Sequence, residues 1–252
     1  MPGYASQRPL VLFLVSIDAE SYKADLRGQP QQWACINGDL CLERIGTANE
    51  KGIYFAMMLR IYGDSISGNC LKVRWTADYL GLAYQWIETS VLKGETRKPG
   101  FLALNPAGQV PLMVTADGRP LAQSNAIIIF LAEGSALIPQ APFARAQMLE
   151  WMFWEQYSHE PYIAVARFQV KYLGKPVSSL EPRLMERGYG ALARMEAALR
   201  QGAFLVGEAC TLADVSLVAY TRMAADGGFD LAPYPAVRAW ITRVEAALNI
   251  AA

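Results

Sequence analysis

An α/β lobe followed by an all-α lobe is the fold class this sequence predicts, and three observations predict it. Between Met58 and Ala132 the apolar segments alternate between a period near 2 and a period near 3.6, in the order βαβαββα. Beyond Pro139 only the helical period remains. With 252 residues there is enough chain to give each lobe a core. The predicted bounds are 58–135 for the first lobe and 142–252 for the second, with Gly134-Ser-Ala-Leu-Ile-Pro139 between them.

Residues 1–57 are expected to stand apart as a poorly structured extension. Leu10 to Val15 is a short apolar run behind Arg8, but Asp18 and Glu20 follow at once, which does not suit a signal peptide. From Ser21 to Ile53 neither period is sustained, and Gly28, Pro30, Gly38 and Gly46 are scattered through the stretch. Met57 and Met58 immediately precede the first convincing strand. The segment is read as a loosely ordered extension or an over-extended reading frame. Abundant peptides from residues 1–57 in mass spectra of the native protein would defeat the second alternative.

The first lobe opens with a strand over Leu59 to Tyr62 and a turn carrying Gly63, Asp64, Ser65 and Ser67. A helix follows from Gly68, with Cys70, Val73, Trp75, Ala77 and Leu80 apolar and Lys72, Arg74 and Asp78 left for solvent. Ser67 falls at the mouth of this helix, where unpaired N–H groups and the helix dipole stabilise an anion such as a thiolate. Ser67-Gly-Asn-Cys70 has the spacing of a C-x-x-C redox motif with its first cysteine replaced, and a strand-turn-helix carrying it is a thioredoxin-like start. A serine there argues against disulfide exchange through the protein's own sulfur, yet its hydroxyl can donate to a foreign one. Taken in isolation, an S-x-x-C pattern reads as an ordinary N-cap.

Ala83 to Glu88 is the second strand, and Glu95 to Leu104 an irregular helix stopped by Asn105-Pro-Ala-Gly108. Val110 to Val114 and Arg119 to Ala122 flank Ala116-Asp-Gly118, a hairpin signal. Pro111 at a strand start points to an edge strand, or to a cis Val110–Pro111 bond that turns Val110 toward a ligand. Only about 5–6% of X–Pro bonds are cis, so trans is the default from composition. Ser124 opens a strongly apolar helix to Ala132. The order fits a thioredoxin-like fold.

In the second lobe Ala144 to Leu173 reads as one long helix with Met148, Trp151 and Trp154 on one side, bent by Pro161. Leu180 to Arg200 is the next helix. Thr211-Leu-Ala-Asp214 has the form of a capping box for Val215 to Ala224, a folding device, and Tyr234 to Leu248 closes the chain.

Composition narrows the function classes. Lys+Arg and Asp+Glu are equal at 23 each, so no net field attracts nucleic acid or an anionic membrane. No apolar run reaches membrane-spanning length. Cys35, Cys41, Cys70 and Cys210 show no metal-ligand pairing beside the single His159, so no metal is expected and a reducing, cytoplasmic setting fits. Cys70 is expected on the inner face of its helix as a small hydrophobe. His159 is read as a polar helix residue with a hydrogen-bond partner, not a base.

Four motifs in order, Ser65-Ile-Ser-Gly-Asn-Cys70-Leu-Lys-Val, Phe101-Leu-Ala-Leu-Asn-Pro-Ala-Gly-Gln-Val-Pro111, Leu121-Ala-Gln-Ser-Asn-Ala-Ile127 and Gly207 to Tyr220, carry a resemblance to another family. Over residues 58–250 the chain resembles cytosolic glutathione transferases of the bacterial theta/nu-like kind. The resemblance implies that Ser67 activates the sulfur of bound glutathione, with Asn69 beside it. It implies a cis Pro111 with the Val110 backbone on the cysteinyl portion, and Gln123 and Ser124 on the γ-glutamyl end. Many relatives carry Glu where this chain has Gln123, which offers no charge to the γ-glutamyl ammonium. Thr96, Arg97 and Gln109 fall where relatives contact the glycine end. It also implies glutathione as co-substrate with no other cofactor, a small apolar electrophile as second substrate, and a homodimer.

Within that reading a free thiol, with a pKa of about 8.5, is only a few per cent ionised at neutral pH. A hydroxyl donor at a helix N-terminus raises that fraction, and the thiolate attacks an electrophilic carbon or a peroxide. Trp151, Trp154, Tyr157 and Tyr162 stand as a possible wall for the second substrate, or as ordinary interdomain core. Tyr62, at the end of the first strand, is a rival hydroxyl to Ser67. A non-catalytic glutathione-binding scaffold and an isomerase are the competing functions, and the absence of a cysteine at position 67 disfavours a reductase.

Overall fold

The computed structural model describes residues 34–36, 40–42 and 58–250, and the chain divides into a unit of residues 1–57 and a unit from Met58 onward. In the first unit, strands β1 (Ala34–Ile36) and β2 (Leu40–Leu42) pair antiparallel with Cys35 opposite Cys41. The sequence reading assigned no strand there, because three-residue segments are too short to show a period. The remainder of the expected extension lies outside the described residues.

The second unit begins with β3 (Leu59–Gly63), α1 (Gly68–Tyr79) and β4 (Tyr84–Glu88), and β3 and β4 are parallel. A 3₁₀ turn (Glu95–Arg97) leads into α2 (Pro99–Leu104), then the hairpin β5 (Leu112–Val114) and β6 (Pro120–Ala122), and α3 (Ser124–Ala132). The sheet order is β4-β3-β5-β6, with β5 antiparallel to both neighbours. The strand alternation decides what each face covers. Ile61 and Met113 join the main core with α1 and α3, while Tyr62, Leu112 and Val114 pack with Phe101 of α2 on the opposite face. The edge-strand reading of Pro111 is corrected here: β5 is central. The proline stands one residue before the ladder begins, so no sheet hydrogen bond is lost to it. Its peptide bond with Val110 is cis.

The helical lobe holds α4 (Pro142–Trp154), α5 (Glu160–Arg167), α6 (Pro182–Leu199), α7 (Leu212–Thr221) and α8 (Pro235–Leu248). The single helix expected over Ala144 to Leu173 is broken into α4 and α5 by a π-helical turn at Glu155–His159, and a second such turn follows at Phe168–Tyr172. Pro161 is the cause of the first, since its ring and missing N–H do not fit a regular ladder. Thr211 and Asp214 form the capping box of α7, with the Thr211 N–H donating to Asp214 Oδ2 at 2.9 Å. Leu205 N–H and Trp240 Nε1 also donate to that buried carboxylate, so the cap ties α7 to α8 and to the preceding loop. One core runs through both lobes, from Ile61, Val73 and Ile127 to Met152, Leu217 and Trp240. No helix among the described residues is long and apolar enough to cross a membrane.

Candidate functional site

A groove of ≈ 450 Å³ collects residues from both lobes. The α/β lobe contributes Asn69 from the first turn of α1, Arg97, the loop Asn105 to Pro111, and Gln123 and Ser124 at the head of α3. Gln156 and Glu160, on either side of the Pro161 distortion, line it from the helical lobe. The cis-proline loop is held from within: Asn105 Nδ2 donates to the Gln109 carbonyl at 2.8 Å, and Asn105 Oδ1 accepts the Ala107 N–H at 3.2 Å. Because β5 starts at Leu112, the Val110 backbone stands outside the ladder, at the groove. Gln123 has φ of 73°, in a region that non-glycine residues occupy only under constraint.

The turn between β3 and α1 is fixed by Asp64. Its carboxylate accepts the N–H groups of Ile66 at 3.2 Å and Val91 at 3.0 Å, and its own N–H donates to Cys70 Sγ at 3.3 Å. Cys70 is fully buried, and burial pushes its thiol up to about 11, so it is inert. Ser67 is half-buried as the N-cap residue of α1; its side chain makes no capping hydrogen bond to the backbone but is engaged with the Cys70 thiol and the Tyr220 hydroxyl. The Asn69 N–H also donates across the lobe boundary to the Tyr220 hydroxyl, at 3.4 Å. Gly68 makes room for this, since a Cβ there would lie 2.7 Å from the Tyr220 ring.

Asn69 is the hub of a buried network. Its Oδ1 accepts from Lys72 Nζ at 2.8 Å and from the Ser124 hydroxyl at 3.0 Å. Its Nδ2 donates to Glu160 Oε1 at 2.7 Å. An amide offers two acceptor lone pairs and two N–H donors, so one N–H remains for the groove. Lys72 in turn pairs with Glu155 at 2.8 Å, both side chains at 0% exposure. The expectation that Lys72 faces solvent is thus overturned. Lys72 lies in the same arc as buried Val73 and Thr76, and its counter-charge arrives from 83 positions away. Burial pushes the Glu155 carboxyl up, but the Lys72 charge and side-chain donors outweigh this and hold it below the ordinary range. Asn125, Gln156 and Ser216 satisfy its other oxygen. Breaking such a pair on one side costs roughly 3–5 kcal/mol.

Of the residues singled out in the sequence, Asn69, Gln109, Val110, Pro111, Gln123 and Ser124 meet in the groove, and Arg97 joins them. Ser67 is two residues from Asn69 but is not among the lining residues, and Thr96 is buried at 2% exposure. Trp151, Trp154 and Tyr157 stand elsewhere. Trp151 is buried and meets Trp154 edge-on at 5.2 Å, Arg194 covers both rings, and Tyr157 is 84% exposed. The helix turns these rings away from the groove because Gln156 and Glu160 take its inner arc. Tyr62 packs edge-on against Phe101 at 6.0 Å on the far face of the sheet. His159 is fully buried, with Nε2 2.9 Å from the Thr221 hydroxyl, whose own proton goes to the Leu217 carbonyl at 2.7 Å. Nε2 therefore donates, and Nδ1 is left without a partner. Burial lowers the His159 pKa to about 4, so the ring is neutral. Sequence reasoning missed Lys72, Glu155, Gln156, Glu160 and Tyr220. Their one signal is the proline directly after Glu160, which marks where the helix must deform.

Over residues 66–133 the sequence matches the family described as "Glutathione S-transferase, N-terminal domain", and over residues 158–247 its C-terminal counterpart. It is 31% identical over 194 residues to glutathione S-transferase 3 of Zea mays, a match covering 72% of this chain and 86% of the relative. Among solved structures it is similar to a glutathione S-transferase from Pseudomonas fluorescens Pf-5, with 48% identity and a TM-score of 0.73 over 75% of this chain and 95% of that one. One from Xanthobacter autotrophicus Py2 shares 46% identity, with a TM-score of 0.70 over 75% and 93%. A small mixed sheet flanked by α1 and α3, a cis-proline loop leading into its central strand β5 and an all-helical second lobe are thus joined by sequence likeness across both halves: the chain belongs to the glutathione S-transferase family, with a thioredoxin-like N-terminal domain and a helical C-terminal domain.

Proposed function

We propose that this chain binds glutathione along the groove and presents its thiol as thiolate at the N-terminus of α1, for attack on a small apolar electrophile or a peroxide. One observation carries the reading. Asn69, Gln109, Val110, Pro111, Gln123 and Ser124, spread over 56 positions of sequence from 69 to 124, converge on one groove with a cis peptide in its wall. The peptide's carboxylates have two receptors there, the Arg97 guanidinium and the head of α3 at Ser124, where free N–H groups favour negative charge. The Val110 backbone offers main-chain hydrogen bonding to the middle of the peptide. For the sulfur, the Ser67 hydroxyl stands at the head of α1 beside the Tyr220 hydroxyl and Asn69 keeps one unspent N–H, each able to donate to an anion. The active form in this reading is a cytoplasmic homodimer.

A second reading, a glutathione-binding scaffold without turnover, is favoured by the absence of Ser67 from the groove lining. Retention on immobilised glutathione, followed by an assay with a reactive aryl halide, separates the two. Binding with conjugation supports the transferase, binding alone supports the scaffold, and failure to bind defeats both.

A further inference from the structure

An α-helix leaves its first N–H groups without an intrahelical partner, and an N-cap serine ordinarily takes one of them on its own oxygen. At the head of α1 another residue does this. Asn69 is the second residue of the helix, and its N–H donates at 3.4 Å to the Tyr220 hydroxyl of α7, 151 positions away. Ser67, the N-cap, makes no side-chain cap. The tyrosine stands in for the serine, and the Ser67 oxygen is left open.

The contact is built into both lobes. Gly68 admits the Tyr220 ring, since a Cβ there would lie 2.7 Å from it, and Lys72 Nζ stands 5.9 Å from the ring centroid. Burial first, and then the Glu160 charge, push the buried phenol above its ordinary range, against the opposing effect of Ser67 and the Asn69 N–H. Tyr220 therefore keeps its proton through the working pH range and acts as a donor, not as a base.

Its oxygen already accepts from Asn69, and the Ser67 hydroxyl stands beside it. A phenol is a stronger acid than an alcohol, so of these two neighbours Tyr220 donates and Ser67 Oγ accepts. With its oxygen so occupied, Ser67 has its own proton left to give. The Cys70 thiol, which also meets the Ser67 side chain, is only a weak acceptor for that proton. We propose that Tyr220 is a positioning residue for Ser67: by capping α1 and donating to Ser67 Oγ, it directs the Ser67 proton at the sulfur of glutathione. This rests on the thiolate reading above and extends it into the helical lobe. Asn69 N–H, Tyr220 O–H and Ser67 O–H each donate to the next oxygen, the last to the sulfur, and such a chain polarises along its length. Tyr220 is not among the residues lining the groove, so it acts on the thiol only through Ser67.

The test compares the wild-type protein, Tyr220→Phe, Ser67→Ala and the double variant. The thiol pKa of bound glutathione is read from the ultraviolet absorbance of the thiolate, and glutathione affinity from titration calorimetry. Phenylalanine keeps the ring over Gly68 and removes only the hydroxyl. Tyr220→Phe is expected to raise the thiol pKa by about 0.5–1 unit, with glutathione affinity within about 2-fold of wild type. Conjugation at acidic pH should fall roughly 3- to 10-fold and recover at alkaline pH, where the thiol ionises unaided. The double variant should match Ser67→Ala, because a residue that acts through another adds nothing once the other is gone. A thiol pKa in Tyr220→Phe equal to that of wild type overturns the assignment, as does a double variant whose shift is the sum of the two single ones. A wild-type protein that binds glutathione and leaves its thiol pKa at the free value defeats the thiolate reading itself, and this assignment with it.

Discussion

Ser67 and Tyr62 stand five positions apart, and the fold sends their hydroxyls to different places. Tyr62 is committed to Phe101 beneath the sheet, whereas the Ser67 hydroxyl makes no cap and stays at the head of α1. Ser67→Ala is therefore expected to lower conjugation turnover by about 10-fold or more, with Tyr62→Phe close to wild type in the same steady-state assay. The opposite ranking would transfer the role to Tyr62. At Gln123 a φ of 73° costs on the order of 1–3 kcal/mol to hold in a non-glycine residue. Gln123→Gly should therefore raise stability by up to about 2 kcal/mol after the added freedom of the unfolded chain is subtracted. It should weaken glutathione binding at the same time, since the same residue lines the groove. Urea denaturation and calorimetry on the one variant check both halves.

At the scale of elements, the distorted turn between α4 and α5 does two jobs. It carries Gln156 and Glu160 to the groove, and it buries His159 as a neutral ring with Nδ1 unpartnered. The folded value of about 4 lies below the ordinary value of about 6.5, so between them the unfolded chain binds the extra proton. This contribution is whole above pH 6.5 and is lost as pH falls toward 4, amounting to about 2 kcal/mol by pH 5. Urea unfolding at pH 7.5 and 5.0 is expected to show that loss in wild type, and His159→Gln, which keeps a donor for Thr221, to show a smaller one. Equal losses in the two proteins would remove His159 as the cause. The turn was partly legible: Pro161 announces a break, but a proline cannot say which side chains the break will aim inward.

For the whole molecule, the aromatics absent from the groove become informative. Phe130 on α3 is 53% exposed, Phe143 and Phe153 on α4 are 76% and 71% exposed, and Tyr157 follows at 84%. Large apolar side chains left in water on both lobes are the mark of a surface that meets a partner. In the homodimer proposed here they are expected to form the contact between subunits. Phe153→Arg should convert a dimer in sedimentation velocity to a monomer, through the cost of desolvating an unpaired charge. Wild-type protein that sediments as a monomer at tens of micromolar would sink that expectation.

Within the first lobe the order of strands and helices, and beyond it the cap of α7 and the likeness to a family, were readable in the sequence. Each depends on neighbours within a few turns of chain or on motifs in a fixed order. The burial of Cys70 and the opening of α3 at Ser124 belong to the same class. What only the tertiary structure decided is where charges meet. Lys72, solvent-facing in the sequence reading, and Glu155, within a stretch that reads as one long helix, form a buried pair where the lobes meet. Asn69, Ser124 and Glu160 likewise form one network only because α1, α3 and α5 converge. Periodicity reports which face of an element is apolar. It holds no information about which polar atom of a distant element will stand opposite, and that pairing alone sets the cost of burying a charge.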